Sequence, residues 1–282
     1  MIFYDSEKGA AKSYFDFVGI DSDRVIHIPI MDLEELKFDM TQKLDEIKKE
    51  FDIKKDNEKF VFFVDSIGNL ASKKEVEDAI DSKSVADMTR AKQLKSFFRI
   101  VTPYFSFYEM QLVCIMHTYD EIGKMGAPKQ IMGGGQGGML SSNNVFLVRK
   151  RQIKEGKEII GWQFIIDIEK SRTIREKVAI PFDVTYDGGI DIYSGLLDIA
   201  LITGHVTKPK NGWFTRPFIE NDKNWRRNET SSEEFWKPLL DDESFRQEVS
   251  NLYLLNSGTS NKEKLKAVSF DEEEDYEEIE ED

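Results

Sequence analysis

Two short apolar runs end in acids: Met1-Ile2-Phe3-Tyr4-Asp5-Ser6 leads to Glu7, and Phe60-Val61-Phe62-Phe63-Val64 leads to Asp65-Ser66. A third run, Leu112-Val113-Cys114-Ile115-Met116, ends in His117. Carboxylates carried on strand ends can activate a water or hold a hydrated divalent cation, and an imidazole can donate a hydrogen bond to a phosphate oxygen. Together these residue types fit the acid–base half of a nucleotide site. The phosphate-cradling half has no counterpart, because no G-x-x-x-x-G-K-[ST] loop occurs anywhere in the 282 residues. Farther along, Glu169-Lys170-Ser171-Arg172 carries cations on alternate positions, which share a face in an extended segment.

The elements that must position these residues follow from periodicity. Runs rich in Phe and Val, bounded by turn or helix signals, predict buried parallel strands whose carboxyl ends open on a shared crevice. Residues 10–19 predict a short helix closed by Gly19. Asp32 with Glu35 makes a capping-box-like start for a helix whose core face is Leu36, Met40, Leu44, Ile47 and Phe51. Residues 84–105 predict a second long helix with Met88, Ala91, Leu94, Phe98, Val101 and Phe105 on one side. Lys92, Lys95 and Arg99 form a separate basic stripe on it. Between these, the charged stretch around Lys73, Lys74 and Glu75 has no clear core face. A fourth strand is predicted at 145–148, after the glycine-rich segment 132–139. The alternation then gives way to a hairpin-like pair at 162–168 and 178–186, with Pro181 favouring an edge position for the second strand. Trp213, Trp225, Phe235, Trp236, Phe245 and Leu252 are the expected anchors of a small C-terminal module.

The order of these features resembles the core of the RecA recombinase family: strand and Glu7, helix with Tyr14, strand and Asp65-Ser66, basic helix, strand and His117, glycine-rich loop, then Glu169-Lys170-Ser171-Arg172. Stretches such as Asn69-Leu70-Ala71-Ser72-Lys73-Lys74-Glu75, Arg99-Ile100-Val101-Thr102-Pro103-Tyr104-Phe105 and Lys208-Pro209-Lys210-Asn211-Gly212-Trp213 resemble its T-even-like phage branch in particular. The resemblance implies an α/β fold, a RecA-like ATPase core of mostly parallel sheet flanked by helices. Antiparallel strands are expected at one edge, with truncation at the N-terminus and a small C-terminal module. The implied division is a core over 1–190, a C-terminal domain over 191–268 and a disordered acidic tail over 269–282.

ATP and Mg²⁺ are the implied cofactors. The resemblance makes Glu7 the carboxylate that activates water for attack on the γ-phosphate, and His117 the sensor of that phosphate. Tyr14 would stack on adenine, and Asp65, followed by Ser66, would hold Mg²⁺ through water. Met116 departs from the family, which usually has asparagine there. Lys170 and Arg172 would reach a neighbouring subunit's phosphates across a filament interface. Two DNA loops are implied, at about 72–88 and 119–138. With the helix stripe they make Lys73, Lys74, Arg90, Lys92, Lys95, Arg99, Lys129, Gly133, Gly134 and Gly135 the DNA-binding set. The implied partners are single-stranded DNA, then duplex DNA, and further copies in a helical filament. An N-terminal half or a full-length recombinase is also expected as partner, since without a phosphate loop the chain is not expected to hydrolyse ATP alone.

Blander readings account for the same residues one at a time. Glu7 also suits an N-cap, Tyr14 core packing, His117 a capped polar group, Lys170 and Arg172 a solvated strand face, and 133–138 a surface loop. A non-catalytic DNA-binding or regulatory fragment of such a recombinase is the alternative reading of the whole chain.

Composition narrows the classes. No apolar stretch approaches the roughly 18–20 residues that span a membrane and no leader pattern opens the chain, so a cytoplasmic protein with no membrane partner is expected. The single cysteine, Cys114, sits in an apolar run and reads as a small buried hydrophobe. Ten of the twelve residues 271–282 are acids, and they carry −10 of the net charge of −14. Such a block is a solvated tail or an imitation of nucleic acid phosphate that competes for a basic groove.

Overall fold

The computed structural model describes residues 1–50, 59–81, 89–120, 130–132 and 137–254. Of the sequence-predicted sites, Lys129, Gly133, Gly134 and Gly135 lie outside the described residues, as does the acidic tail. The chain forms two compact units, Met1–Ser142 and Asn143–Asp282.

The first unit runs β1 (Ile2–Asp5), α1 (Lys12–Phe17), β2 (Ile26–Pro29), α2 (Leu33–Glu50), β3 (Val61–Asp65), α3 (Lys73–Ile80), α4 (Thr89–Phe107) and β4 (Gln111–Cys114). It continues through a small hairpin, β5 (Thr118–Asp120) with β6 (Gln130–Met132), to a short α5 (Gly137–Ser141). Strands β2-β1-β3-β4 form one sheet in that order, every pair parallel. Asp5 is in register with Asp65, so the first and third strands end side by side.

Alternation along the strands sets the two faces of this sheet. Ile2, Tyr4, Phe62 and Val64 turn to a core built from Leu33, Leu36, Met40, Leu44 and Ile47 of α2 with Leu94, Phe97, Phe98, Val101 and Phe105 of α4. Each fully buried Leu, Met or Phe contributes about 2 kcal/mol through apolar surface removed from water. The Asp32 side chain accepts from Glu35 N–H at 2.7 Å, and Glu35 accepts from Met31 N–H at 2.8 Å, so the start of α2 is capped from both directions. On the other face Phe3 stacks on Phe63 at 5.5 Å and meets Phe15 of α1 edge-on at 5.1 Å.

Two sequence expectations are corrected in this unit, and one strand goes beyond them. Strand β2 has no counterpart among the predicted strands: it is a four-residue edge strand, mostly exposed, whose Ile26 and Ile28 are interrupted by His27 and followed by Pro29. The predicted fourth strand at 145–148 belongs to a different sheet, described below. The stretch expected to begin a DNA loop at 72 is helix α3 up to Ile80, since Ser72 and Glu75 close a capping box there; residues 82–88 are outside the described residues.

The second unit begins with β7 (Val145–Glu155), β8 (Glu158–Lys170), β9 (Ala179–Thr185) and β10 (Gly189–Ile190), an antiparallel sheet in the order β10-β9-β8-β7. It continues with α6 (Leu196–Ile202), a three-stranded sheet of β11 (Thr207–Lys210), β12 (Trp213–Thr215) and β13 (Trp225–Arg226), then α7 (Glu233–Asp241) and α8 (Glu243–Tyr253). Gly161 lets β8 lie against β9, because a Cβ there would sit 2.3 Å from the Val184 carbonyl oxygen. Pro181 falls on the stretch of β9 that β10 does not reach, as its missing N–H requires.

The expected boundary at 190/191 moves to 142/143. Ile168 and Val178, with Ile166 and Ile180, share one core with Leu197, Phe214, Trp225, Phe235, Trp236, Leu239, Phe245 and Leu252, so the antiparallel sheet and the C-terminal helices fold as one body. Of the expected anchors, Trp213 is the exception: it is half-buried, flanked by Lys210 and Arg226, each 5.0 Å from its ring, while its neighbour Phe214 fills the core. Arg216 and Asp222 form a buried ion pair at 2.6 Å inside this unit.

Candidate nucleotide site

The carboxyl ends of β1, β3 and β4 bring together four polar groups from three separate parts of the chain. The Glu7 carboxylate accepts from the Asn69 amide at 2.6 Å and from the Ser66 hydroxyl at 3.1 Å. His117 Nε2 lies 3.7 Å from the same Glu7 oxygen and 3.4 Å from Ser66 Oγ. Both Glu7 and His117 are about half exposed, so they face solvent rather than the core. Strand geometry explains the meeting. Parallel neighbours in register deliver their last side chains to one edge, and the turn after β3, Ile67–Asn69, swings Asn69 back over it.

The two strand ends are laced together. Ser6 N–H donates to the Asp65 carbonyl at 2.9 Å, Ser6 Oγ donates to the Ser66 carbonyl at 2.8 Å, and Ser66 N–H donates back to Ser6 Oγ at 2.9 Å. The Asp65–Ser66 peptide is cis. Gly68 is required by close approach: a Cβ there would lie 2.9 Å from the His117 backbone nitrogen and 3.0 Å from its ring. The ring is thereby seated against the turn that carries Ser66 and Asn69.

Arg90 serves this turn as well. Its guanidinium donates to the carbonyls of Leu70 at 2.8 Å and Gly68 at 2.7 Å, so it ties the start of α4 to the site. Lys92, Lys95 and Arg99, the expected stripe, are exposed on α4, while Arg90, also in the expected DNA-binding set, donates to these carbonyls. Lys73 and Lys74 lie in the first turn of α3, where Lys74 pairs with Asp78 one turn on. Tyr14 is exposed on α1, its ring edge-on to Phe15 at 6.2 Å.

In the second unit, Lys170 closes β8 opposite Val145, and the strand ends there. Ser171 then turns the chain, its hydroxyl accepting from the Thr173 and Ile174 amides. Arg172 is exposed in that bend, so strand alternation does not make it share a face with Lys170. Cys114 ends β4 with its thiol pushed up to about 12 by burial, which leaves it unreactive as a nucleophile.

The chemistry of the donors can be tested against Mg²⁺. Burial raises the Asp65 carboxyl above its ordinary value, the negative charges of Glu7 and Asp5 add to that, and His117 opposes it. A site where acids repel one another gains from a divalent cation. No group of three or more His, Cys, Asp or Glu side chains is arranged to chelate a metal among the described residues. The set therefore fits an ion held through water by Asp65 and completed by phosphate oxygens, not a protein cage.

Asn69 was not singled out by sequence pattern. A polar residue four positions after a strand-end acid carries no periodic signal, and only the 3-10 turn that follows β3 brings it to Glu7. Asp5, buried at the end of β1, likewise carries no signal in the sequence beyond closing an apolar run.

Comparison with known proteins agrees with this architecture. Residues 193–249 match the family model described as "Bacteriophage T4, Recombination and repair protein, C-terminal domain". The recombination and repair protein of Enterobacteria phage T4 is 48% identical over 268 residues, which cover 92% of this chain and 66% of that protein. RecA of Chloroherpeton thalassium is 26% identical over 60% of this chain and 46% of its own length. RecA of Chlorobaculum parvum is 29% identical over 55% and 44%. The chain thus spans just under two thirds of its phage relative and less than half of these RecA proteins. With a parallel β2-β1-β3-β4 sheet, acids on its strand ends and a matching C-terminal domain, the chain belongs to the family of the phage T4 recombination and repair protein, among the RecA-like proteins.

Proposed function

We propose that these residues form the catalytic and DNA-binding part of an ATP-dependent recombinase that assembles as a helical filament on single-stranded DNA and exchanges it into duplex DNA. The observation that carries this reading is the convergence of Glu7, Ser66, Asn69 and His117 at one strand edge. Glu7 is the general base: it is half exposed and held by two hydrogen bonds that leave its second oxygen to meet a water. Asp65 would hold Mg²⁺ through water, and MgATP would supply the phosphoryl group that is attacked by the water Glu7 activates.

His117 joins the nucleotide side to the DNA side. It lies within reach of Glu7 and Ser66 and immediately precedes β5, so a change at the phosphate would reach that strand. Tyr14 stacks on adenine. Lys170 and Arg172 act on the phosphates of a neighbouring subunit, with Lys92, Lys95 and Arg99 along the DNA backbone.

Hydrolysis requires a phosphate loop in addition to these residues, because the sequence contains none. The test is reconstitution. The chain is combined with a phosphate-loop segment from a phage relative, and ATP hydrolysis is measured with and without single-stranded DNA. DNA-stimulated turnover by the mixture is expected; none at any ratio of the two parts would overturn the reading.

A further inference from the structure

Beside the candidate base lies a buried acid that the chemistry above does not use. Asp5 ends β1 with 2% of its surface exposed, and its carboxylate is fully engaged. Oδ1 accepts from the backbone N–H of Glu7 at 2.9 Å and of Lys8 at 2.6 Å, and Oδ2 lies 3.3 Å from Ala10 N–H. The remaining contact is His27 Nε2, 3.0 Å from Oδ2. His27 sits on β2 in register with Phe3, and side chains alternate along a strand, so Asp5 and His27 share one face as diagonal neighbours.

Two observations make this more than a local turn. Lys8 has φ 55°, a left-handed conformation that costs a non-glycine residue free energy unless its surroundings hold it. The Asp5 carboxylate supplies that hold, because the amides of Glu7 and Lys8 converge on one of its oxygens. Burial tends to raise the Asp5 carboxyl, but the bond from His27 and those from the Ala10, Glu7 and Lys8 amides outweigh it and hold the carboxyl below its ordinary value. The other charges near His27 are Lys12 and Asp23, and these pair with each other at 2.7 Å. The rings of Phe3 and Phe15 flank the imidazole, 5.7 and 6.3 Å away, and the rest of it is open to solvent.

We propose that Asp5 and His27 are positioning residues for Glu7. Asp5 clamps the backbone on which Glu7 stands, and His27, reaching across from the edge strand, holds the Asp5 carboxylate in the orientation that does so. The β2 edge strand thereby becomes part of the hydrolytic apparatus without touching the nucleotide. This rests on the reading of Glu7 as the base.

The test uses His27→Phe, which keeps a ring against Phe3 and Phe15 but removes the donor, and His27→Gln, which restores an N–H at similar reach. The first readout is hydrogen exchange of amides 7–10 in the chain itself, with no nucleotide. The Phe variant is expected to exchange about tenfold faster there and the Gln variant close to wild type, since a bond that anchors a turn controls its local opening. The second readout is ATP turnover in the reconstituted protein. For the Phe variant kcat is expected to fall about tenfold with KM unchanged, because the base is displaced while binding is not, and the Gln variant is expected to recover it. Unchanged exchange and kcat in His27→Phe, or failure of Gln to restore them, would overturn the inference. A Glu7→Gln protein that still turns over normally would overturn the base assignment and the catalytic part of the inference; the exchange readout tests the Asp5–His27 clamp independently.

Discussion

Replacing Arg216 by methionine is expected to cost the second unit about 3–5 kcal/mol, the penalty for breaking a buried ion pair from one side. The Arg216 guanidinium donates to Asp222 through Nε at 3.0 Å and through its terminal nitrogen at 2.6 Å, and to the carbonyls of Glu234 and Phe235 at 3.0 and 2.8 Å. It lies against the rings of both Trp225 and Phe235, at 4.7 and 5.2 Å. Methionine fills much of the slot but leaves the Asp222 carboxylate buried with only the Trp225 indole and the residue 216 amide as donors. In a unit of this size a loss of 3 kcal/mol lowers Tm by about 12 °C or more. The assay is urea unfolding followed by tryptophan fluorescence. All four tryptophans, at 162, 213, 225 and 236, lie in Asn143–Asp282, so the signal reports this unit alone. Replacing both partners, R216M with D222L, is expected to recover most of the loss, because an apolar pair removes the stranded charge. A single variant that loses less than about 1 kcal/mol would refute the reasoning, since it would make the pair no stronger than a surface contact.

The Asp65 carboxyl is raised in the folded protein, so its ionised form opposes folding: stability declines as pH climbs from the ordinary carboxylate range through the raised value, and the penalty is complete above it. Asp65→Asn is therefore expected to melt higher than wild type at pH 7 without magnesium, with the difference closing below about pH 4. Thermal melts across that range check it. Replacing Lys92, Lys95 and Arg99 together by alanine is expected to make the salt dependence of single-strand binding shallower, by about two units of log K per log salt if all three meet phosphates. A fluorescence titration at several salt concentrations reads the slope.

Much of the fold was legible because it rests on periodic apolar residues. The faces of α2 and α4 emerge directly from Leu36, Met40, Leu44 and Ile47 and from Leu94, Phe98, Val101 and Phe105, all of which reach the core. The strands leading to Glu7, Asp65 and His117 were equally plain as apolar runs, although β4 lies at the sheet edge and leaves Val113 exposed. What escaped was written in other terms. Strand β2 is held by its backbone bonds to β1, which any sequence can make. Strand β7 looks like one more buried strand over Val145–Val148, but it runs on through Arg149, Lys150 and Arg151 and pairs antiparallel with β8. Arg90 has the composition of a DNA contact and the geometry of a brace, and only the position of the Gly68 and Leu70 carbonyls distinguishes the two. Asn69 and the Asp5–His27 pair are found only when strands distant in sequence are set side by side.

The most direct measurement of the central claim is single-stranded-DNA-dependent ATP hydrolysis by the reconstituted protein carrying Glu7→Gln. Glutamine keeps the shape and an oxygen for Asn69 and Ser66 but cannot take a proton. The expected result is a kcat lowered by about 10²–10⁴ with ATP and DNA binding retained. A kcat within about threefold of wild type would show that Glu7 is not the base and would contradict the catalytic role given to this strand edge.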